Sequence, residues 1–177
     1  MTSEILMAGF GGQGILFATK QLALFGLAKE KQVTWIPSYG PEARGGTSNC
    51  SVIISDQPIG SPIVSSPDIL IAMNLQSFDK FCPRVNPGGL LILDSSLVNK
   101  ETERTDIKIS RIPATALASD GGLTGSANII MLGRLLALTG IFDAEDFISS
   151  LVAGIPESRA AMRDINKKAF EIGYSYK

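Results

Sequence analysis

The segment Ile5-Leu6-Met7-Ala8-Gly9-Phe10-Gly11-Gly12-Gln13-Gly14 joins an uninterrupted apolar run to a stretch of helical periodicity, and this junction constrains the fold most. A strand that passes through a glycine turn directly into a helix opens a βα unit. Glycines at 9, 11 and 14 match G-x-G-x-x-G, in which missing side chains let the backbone turn tightly and approach an anionic group at the helix N-terminus. The added Gly12-Gln13 sets this loop apart. A carboxamide between two glycines donates and accepts hydrogen bonds without adding charge, so the loop is fitted to hold a ligand or a partner's backbone closely.

The rest of the chain alternates strand and helix. Apolar residues at helical spacing (Ile15, Ala18, Leu22, Phe25, Ala28) predict a helix over 15–31, followed by a strand over 33–36. A loop over 37–48 is too rich in Gly and Pro to be regular, and loops of that kind sit at functional edges. Further strands are expected at 49–55, 68–74, 90–94 and 107–112, with a short helix over 76–84 and a turn at 86–89. The runs Ile69–Met73 and Leu90–Leu93 are apolar throughout, as in strands covered on both faces. From about Ser126 the chain reads as helices over 127–138, 144–153 and 157–172. The expected fold is an α/β, Rossmann-like single domain over residues 1–177: a doubly wound, mainly parallel sheet with C-terminal helices. Residues 9–14, 39–48 and Asn74 would converge at the carboxyl ends of its strands.

Composition excludes several functions. Lys and Arg number 16 against 17 Asp and Glu, a net charge of −1, which suggests neither nucleic acid nor an acidic membrane as partner. A mean hydropathy of +0.21 is high for a soluble domain. Every apolar run nevertheless stops short of a bilayer's thickness, so no membrane span is expected and a buried subunit interface, or a homodimer of the isolated chain, is. No basic segment with an apolar core precedes the first strand, and a cytoplasmic protein is expected. Cys50 and Cys82 are far apart and outside any C-x-x-C, so they read as core residues and the chain alone cannot hold an iron–sulfur cluster or structural zinc. There is no histidine, which removes the commonest general base and metal ligand. We therefore assign no catalytic and no metal-binding residue.

A dinucleotide site needs Asp or Glu about 20 residues beyond the glycines, at the end of the second strand. Residues 33–39 contain no carboxylate, and Glu30 lies before the strand. This weakens an NAD or FAD reading and leaves a stand-alone nucleotide- or phosphate-binding module as an alternative. Close helix–strand packing alone accounts for Gly14 but not for Gly11-Gly12-Gln13.

Tyr39-Gly40-Pro41-Glu42-x-Arg44-Gly45-Gly46, downstream of Gly9-x-Gly11-Gly12-Gln13-Gly14, resembles the gamma subunit of the 2-oxoacid:ferredoxin oxidoreductases. The resemblance extends through Ser55-x-x-Pro58-Ile59, Pro67-Asp68, Gly88-Gly89 and Asn128-Ile129-Ile130-Met131-Leu132-Gly133, nearly the whole chain. The form Gly-Pro-Glu-x-Arg-Gly-Gly-x-Ser is most similar to the 2-oxoglutarate branch; the pyruvate and indolepyruvate branches are the alternatives. The resemblance implies a multisubunit enzyme that oxidatively decarboxylates a 2-oxoacid with coenzyme A as co-substrate and passes electrons to ferredoxin or flavodoxin. It also implies thiamine diphosphate with Mg and iron–sulfur clusters in thiamine-binding and ferredoxin-like partner subunits. This chain has neither Gly-Asp-Gly with a following Asn-Asn nor a cysteine cluster, so no cofactor is expected on it alone. An accessory or active-site-covering subunit is the implied role.

Ligand- or partner-binding candidates are Gly9, Gly11, Gly12, Gln13, Gly14, Tyr39, Gly40, Glu42, Arg44, Gly45, Gly46 and Asn74. Arg44 could grip a carboxylate or phosphate bidentately or simply bridge to Glu42. Gln13 would touch a ligand or neighbour, or fasten its loop to residues 39–46. Tyr39 could be a packing anchor or a contact. Asn74 and Asn128 are weaker candidates, since an amide at a strand end often only ties down a neighbouring loop.

Overall fold

The computed structural model describes residues 1–39 and 47–177. Among these, β1 (Thr2–Phe10), β2 (Gln32–Tyr39), β3 (Thr47–Ser55), β4 (Ile69–Ala72), β5 (Leu90–Asp94) and β6 (Lys108–Ile112) form one sheet in the order β2-β3-β1-β4-β5-β6. β1, β4, β5 and β6 pair in parallel. β3 is antiparallel to both β1 and β2, so β2 runs with β1 and only β3 is reversed. The sheet is thus mixed in pairing while mainly parallel in strand direction. The reversal has a simple cause. Only seven residues separate the end of β2 from the start of β3, and a parallel return would need a crossover of a dozen or more residues.

Helices cover both faces, as a doubly wound sheet requires. One face carries α1 (Ile15–Ala28), α3 (Ala114–Asp120), α4 (Ala127–Thr139), α5 (Ala144–Ala153) and α6 (Ala161–Ser175) over Ile5, Met7, Val52, Ile71, Ile92 and Ile112. The other carries α2 (Leu75–Phe81) and the 3-10 turn Cys82–Arg84 over Leu6, Ala8, Leu70, Leu91 and Leu93. The central strands are apolar on both sides because both sides are buried. Phe25 of α1 meets Phe142 edge-on at 4.9 Å and Phe147 of α5 at 5.1 Å, and Phe147 reaches Phe170 of α6 at 5.8 Å. α4 and α6 touch backbone to backbone. A Cβ on Gly133 would overlap the Phe170 carbonyl oxygen, and one on Gly173 the Ile130 carbonyl oxygen.

Two sequence expectations are corrected and one helix is added. Pro37, Ser38 and Tyr39 belong to β2, and Thr47 and Ser48 to β3, so the loop is shorter than 37–48. Pro37 is tolerated because β2 is an edge strand. α3 falls in a stretch to which the sequence reading assigned no element. The predicted helix over 157–172 divides into a 3-10 turn, Glu157–Arg159, and α6 from Ala161.

Candidate functional site

The carboxyl ends of β1, β2 and β4 and the start of β3 meet at one edge. Phe10 pairs with Thr47, Gly9 and Tyr39 both pair with Ser48, and the Met73 amide donates to the Ala8 carbonyl at 2.8 Å. The glycine loop, Tyr39, Thr47, Ser48 and Asn74 therefore gather where the sequence places them. Gly40, Glu42, Arg44, Gly45 and Gly46 lie outside the described residues.

Each glycine of the first loop answers to a different constraint. A Cβ on Gly9 would overlap Gln13 Oε1 and come within 3.2 Å of Met73 Cβ. Gly11 is exposed in the turn. Gly12 has φ +105°, and a Cβ added there would meet nothing within 4 Å, so conformation rather than space demands glycine, and its surroundings are open. Gly14, at φ +73°, would drive a Cβ into the Asn128 Nδ2, which donates to the Gly14 carbonyl at 3.1 Å. The loop thus fixes where α4 begins as well as where α1 begins.

Gln13 ties this turn together. Its Oε1 accepts from the Phe10 amide at 2.9 Å, and its Nε2 donates to the Met73 carbonyl at 2.8 Å. Among the described residues the fastening runs to Met73, which follows β4; residues 40–46 of the other candidate segment lie outside the described residues. Asn74 is 6% exposed and caps α2, its Oδ1 accepting from the Ser77 amide at 2.8 Å, the loop-tying role of a strand-end amide. Asn128 likewise spends its amide nitrogen on Gly14.

Beside the glycine turn lies a cleft of about 350 Å³, walled by Phe10, Gly12, Gln13 and Met73 on one side and by Leu97, Thr115, Ala118 and Ser119 on the other. Thr124, Gly125 and Ala127 close one end. Its described walls are apolar, hydroxyl or amide. Such a surface can orient a neutral or amide-rich chain by contact and hydrogen bonding, and it offers no acid or base.

The far wall rests on a residue the sequence reading missed. Asp94, 0% exposed at the end of β5, accepts from the Ser96 amide at 3.0 Å and from both the amide and hydroxyl of Thr115, at 3.1 and 2.5 Å. It binds the start of α3 to the sheet edge. The available signal was a carboxylate ending an otherwise apolar buried strand.

The cysteines cannot share a metal. Cys50 and Cys82 are buried on opposite faces of the sheet, and no group of three His, Cys, Asp or Glu among the described residues is placed to hold an ion. Burial pushes the Cys50 thiol above its ordinary value, against the smaller opposing effect of hydrogen bonds with Thr19 and the Ile36 backbone. That favours an inert thiol over a thiolate ligand.

The chain matches known proteins in sequence and in fold. The family model described as pyruvate ferredoxin/flavodoxin oxidoreductase matches residues 4–176. The 2-oxoglutarate synthase subunit KorC of Methanocaldococcus jannaschii is 38% identical, with 98% of this chain and 93% of that protein aligned. The ketoisovalerate oxidoreductase subunit VorA of Methanothermobacter marburgensis is 37% identical over 96% of this chain, which spans only 35% of that longer protein. Among solved structures, the gamma subunit of a keto/oxoacid ferredoxin oxidoreductase from Geobacter sulfurreducens superposes with a TM-score of 0.85 at 33% identity, covering 98% of this chain and 95% of that one. Matched from end to end by fold and by sequence, the chain belongs to the pyruvate ferredoxin/flavodoxin oxidoreductase family, in its gamma-subunit form.

Proposed function

We propose that the chain is the gamma subunit of a 2-oxoglutarate:acceptor oxidoreductase, which converts 2-oxoglutarate and coenzyme A to succinyl-CoA and passes electrons to ferredoxin or flavodoxin. The observation that carries this reading is the full-length match to KorC at 38% identity, against 27% to the pyruvate synthase subunit PorC. The Gly-Pro-Glu-x-Arg-Gly-Gly-x-Ser segment supports the same branch. The near-equal match to VorA supports a second reading, a branched-chain 2-oxoacid as substrate.

The cofactor chemistry belongs to partner subunits. Thiamine diphosphate with Mg and the iron–sulfur clusters supply carbanion stabilisation and one-electron transfer when bound there. The described residues of this chain do not fit either group: its cysteines are separated by the sheet, and its cleft presents no carboxylate set. We assign this chain to covering the active site. Its glycine loop, Tyr39 and the segment carrying Gly40, Glu42, Arg44, Gly45 and Gly46 form the covering edge, and the adjacent cleft takes part of coenzyme A or a partner's backbone. No helix among the described residues is long and apolar enough to cross a membrane, and a cytoplasmic location accords with the proposed acceptors.

Reconstitution tests this. The chain alone should not reduce a viologen dye with any 2-oxoacid, whereas adding thiamine- and cluster-bearing subunits should give activity highest with 2-oxoglutarate. Activity of the lone chain, or preference for a branched-chain 2-oxoacid, would overturn the role or the substrate respectively. In the assembled enzyme Arg44→Ala should lose a charge-assisted hydrogen bond of about 1.5–3 kcal/mol, a roughly tenfold to hundredfold fall in turnover or coenzyme A affinity.

A further inference from the structure

Helix α1 is apolar on more than the face it buries. Ile15, Ala18, Leu22 and Phe25 pack into the core, yet on the opposite side Phe17 is 44% exposed, Leu24 49% and Leu27 56%. These residues recur at helical spacing and form a stripe about 15 Å long. A helix that is apolar all round is ordinarily covered all round. At the amino end of the stripe, Phe17 also walls a groove of about 320 Å³ with Ile155, Pro156 and Met162. In the floor of that groove Asn128 is 4% exposed, and its Oδ1 has no hydrogen-bond partner among the described residues. Its Nδ2 is committed to the Gly14 carbonyl, so the orientation is fixed and the oxygen awaits a donor.

We infer that the α1 stripe and this groove form one docking face for a partner subunit, namely the polypeptide that corresponds to the part of VorA-like chains lying outside the match to this one. This rests on the subunit reading above. In M. marburgensis VorA the matched region is 35% of the protein, so a larger unit shares its chain, whereas KorC carries the matched region nearly alone. Units joined covalently in one relative and separate in another must hold together by surface contact when separate. The charge pattern selects against a second copy of this chain. Lys20 lies within the stripe, and α1 has no acidic residue, so pairing two α1 stripes would desolvate both ammonium groups with no carboxylate on the helix to meet them. The partner face should be apolar with a carboxylate opposite Lys20 and should place an N–H donor in the groove.

The test uses the complex of this chain with that partner, coexpressed from the same source. Leu24→Glu/Leu27→Glu should weaken association by about 100-fold or more, while Ile63→Glu, at a 70% exposed apolar residue away from α1, should leave it unchanged. Circular dichroism checks that each variant folds. Hydroxyl-radical footprinting of the unmodified complex reads the face without any mutation: Phe17, Leu24, Leu27 and Met162 should be protected relative to the free chain. A complex that tolerates the double variant and leaves these residues reactive would overturn the face while sparing the subunit reading. Failure of the wild-type chain to bind any such partner would overturn both. A self-dimer abolished by the double variant, with partner binding intact, would assign the stripe to a second copy and overturn the inference.

Discussion

Asp94→Asn is the sharpest probe of the cleft's construction. The carboxylate is fully buried and accepts three hydrogen bonds, one at Oδ1 from Ser96 and two at Oδ2 from Thr115. An asparagine has one acceptor oxygen. Turned toward Thr115 it keeps two bonds, and its NH₂ then confronts the Ser96 amide, donor against donor. The loss of one hydrogen bond to a charged group costs about 1.5–3 kcal/mol, and a stranded backbone donor adds about 1–3. Removal of a buried charge recovers part of this, leaving a net destabilisation of about 2–4 kcal/mol. For a domain of this size that corresponds to a fall in Tm of roughly 5–15 °C. Thr115→Val deletes only the hydroxyl donor to the same carboxylate, strands no backbone group and should cost about 1.5–3 kcal/mol. Equilibrium denaturation measures both, and hydrogen exchange should show α3 amides opening more readily in Asp94→Asn than elsewhere in the chain. An Asp94→Asn variant within about 0.5 kcal/mol of wild type, or one whose α3 amides exchange no faster than those of the wild type, would refute the account of Asp94 as the clamp on α3.

Other regions give shorter tests. Gly133→Ala or Gly173→Ala gains about 1 kcal/mol of helix propensity but forces α4 and α6 apart at a backbone carbonyl, so denaturation should show a net loss of about 2 kcal/mol or more. Cys50 and Cys82 are 0% and 3% exposed, so a thiol reagent should label neither until denaturant is added; prompt labelling of the native chain would contradict the burial. Hydrogen bonding to the Lys31 ammonium, and then to the N-terminal amine, lowers the Asp56 pKa to about 2 from an ordinary 3.8. Its contribution to stability is therefore complete above about pH 4 and is lost as pH falls toward 2, and Asp56→Asn should flatten the acid limb of a stability–pH curve in that window. An unchanged limb would remove Asp56 from the account.

How much of this was legible depends on the range of the interaction responsible. β1, β4 and β5 announce themselves because burial on both faces leaves an unbroken apolar run, and the glycine turn announces itself because backbone conformation is a local property. The direction of β3 needs only one further step, since two strands with no helical pattern between them are joined more readily as a hairpin. α3 was not legible: seven residues, Ala-Thr-Ala-Leu-Ala-Ser-Asp, with no side-chain cap, hold helical form through Asp94 twenty residues upstream. The contact between Gln13 and Met73 spans 60 residues, so the sequence marks Gln13 as unusual without showing what it grips.

That contact sets this loop apart from a dinucleotide fingerprint. In a doubly wound sheet the ligand crevice opens at the topological switch point, here between β1, whose helix leads outward to β2, and β4, which begins the run toward β6. Gln13 bridges that gap from the Phe10 amide to the Met73 carbonyl, so a protein carboxamide occupies the position at the mouth of the switch point, and the open cleft lies to one side against Leu97 and Thr115. If the bridge matters, the two ends of the carboxamide should be separable. Gln13→Ala forfeits two neutral hydrogen bonds, about 1–2 kcal/mol where water can reach the freed groups. Gln13→Glu keeps an acceptor for Phe10 but sets a carboxylate against the Met73 carbonyl, and it should destabilise more than alanine does at pH 7. The difference should shrink as the pH is lowered and the new carboxylate protonates. A Gln13→Glu chain as stable as wild type at neutral pH would mean that the Nε2 contact does not hold the loop to β4.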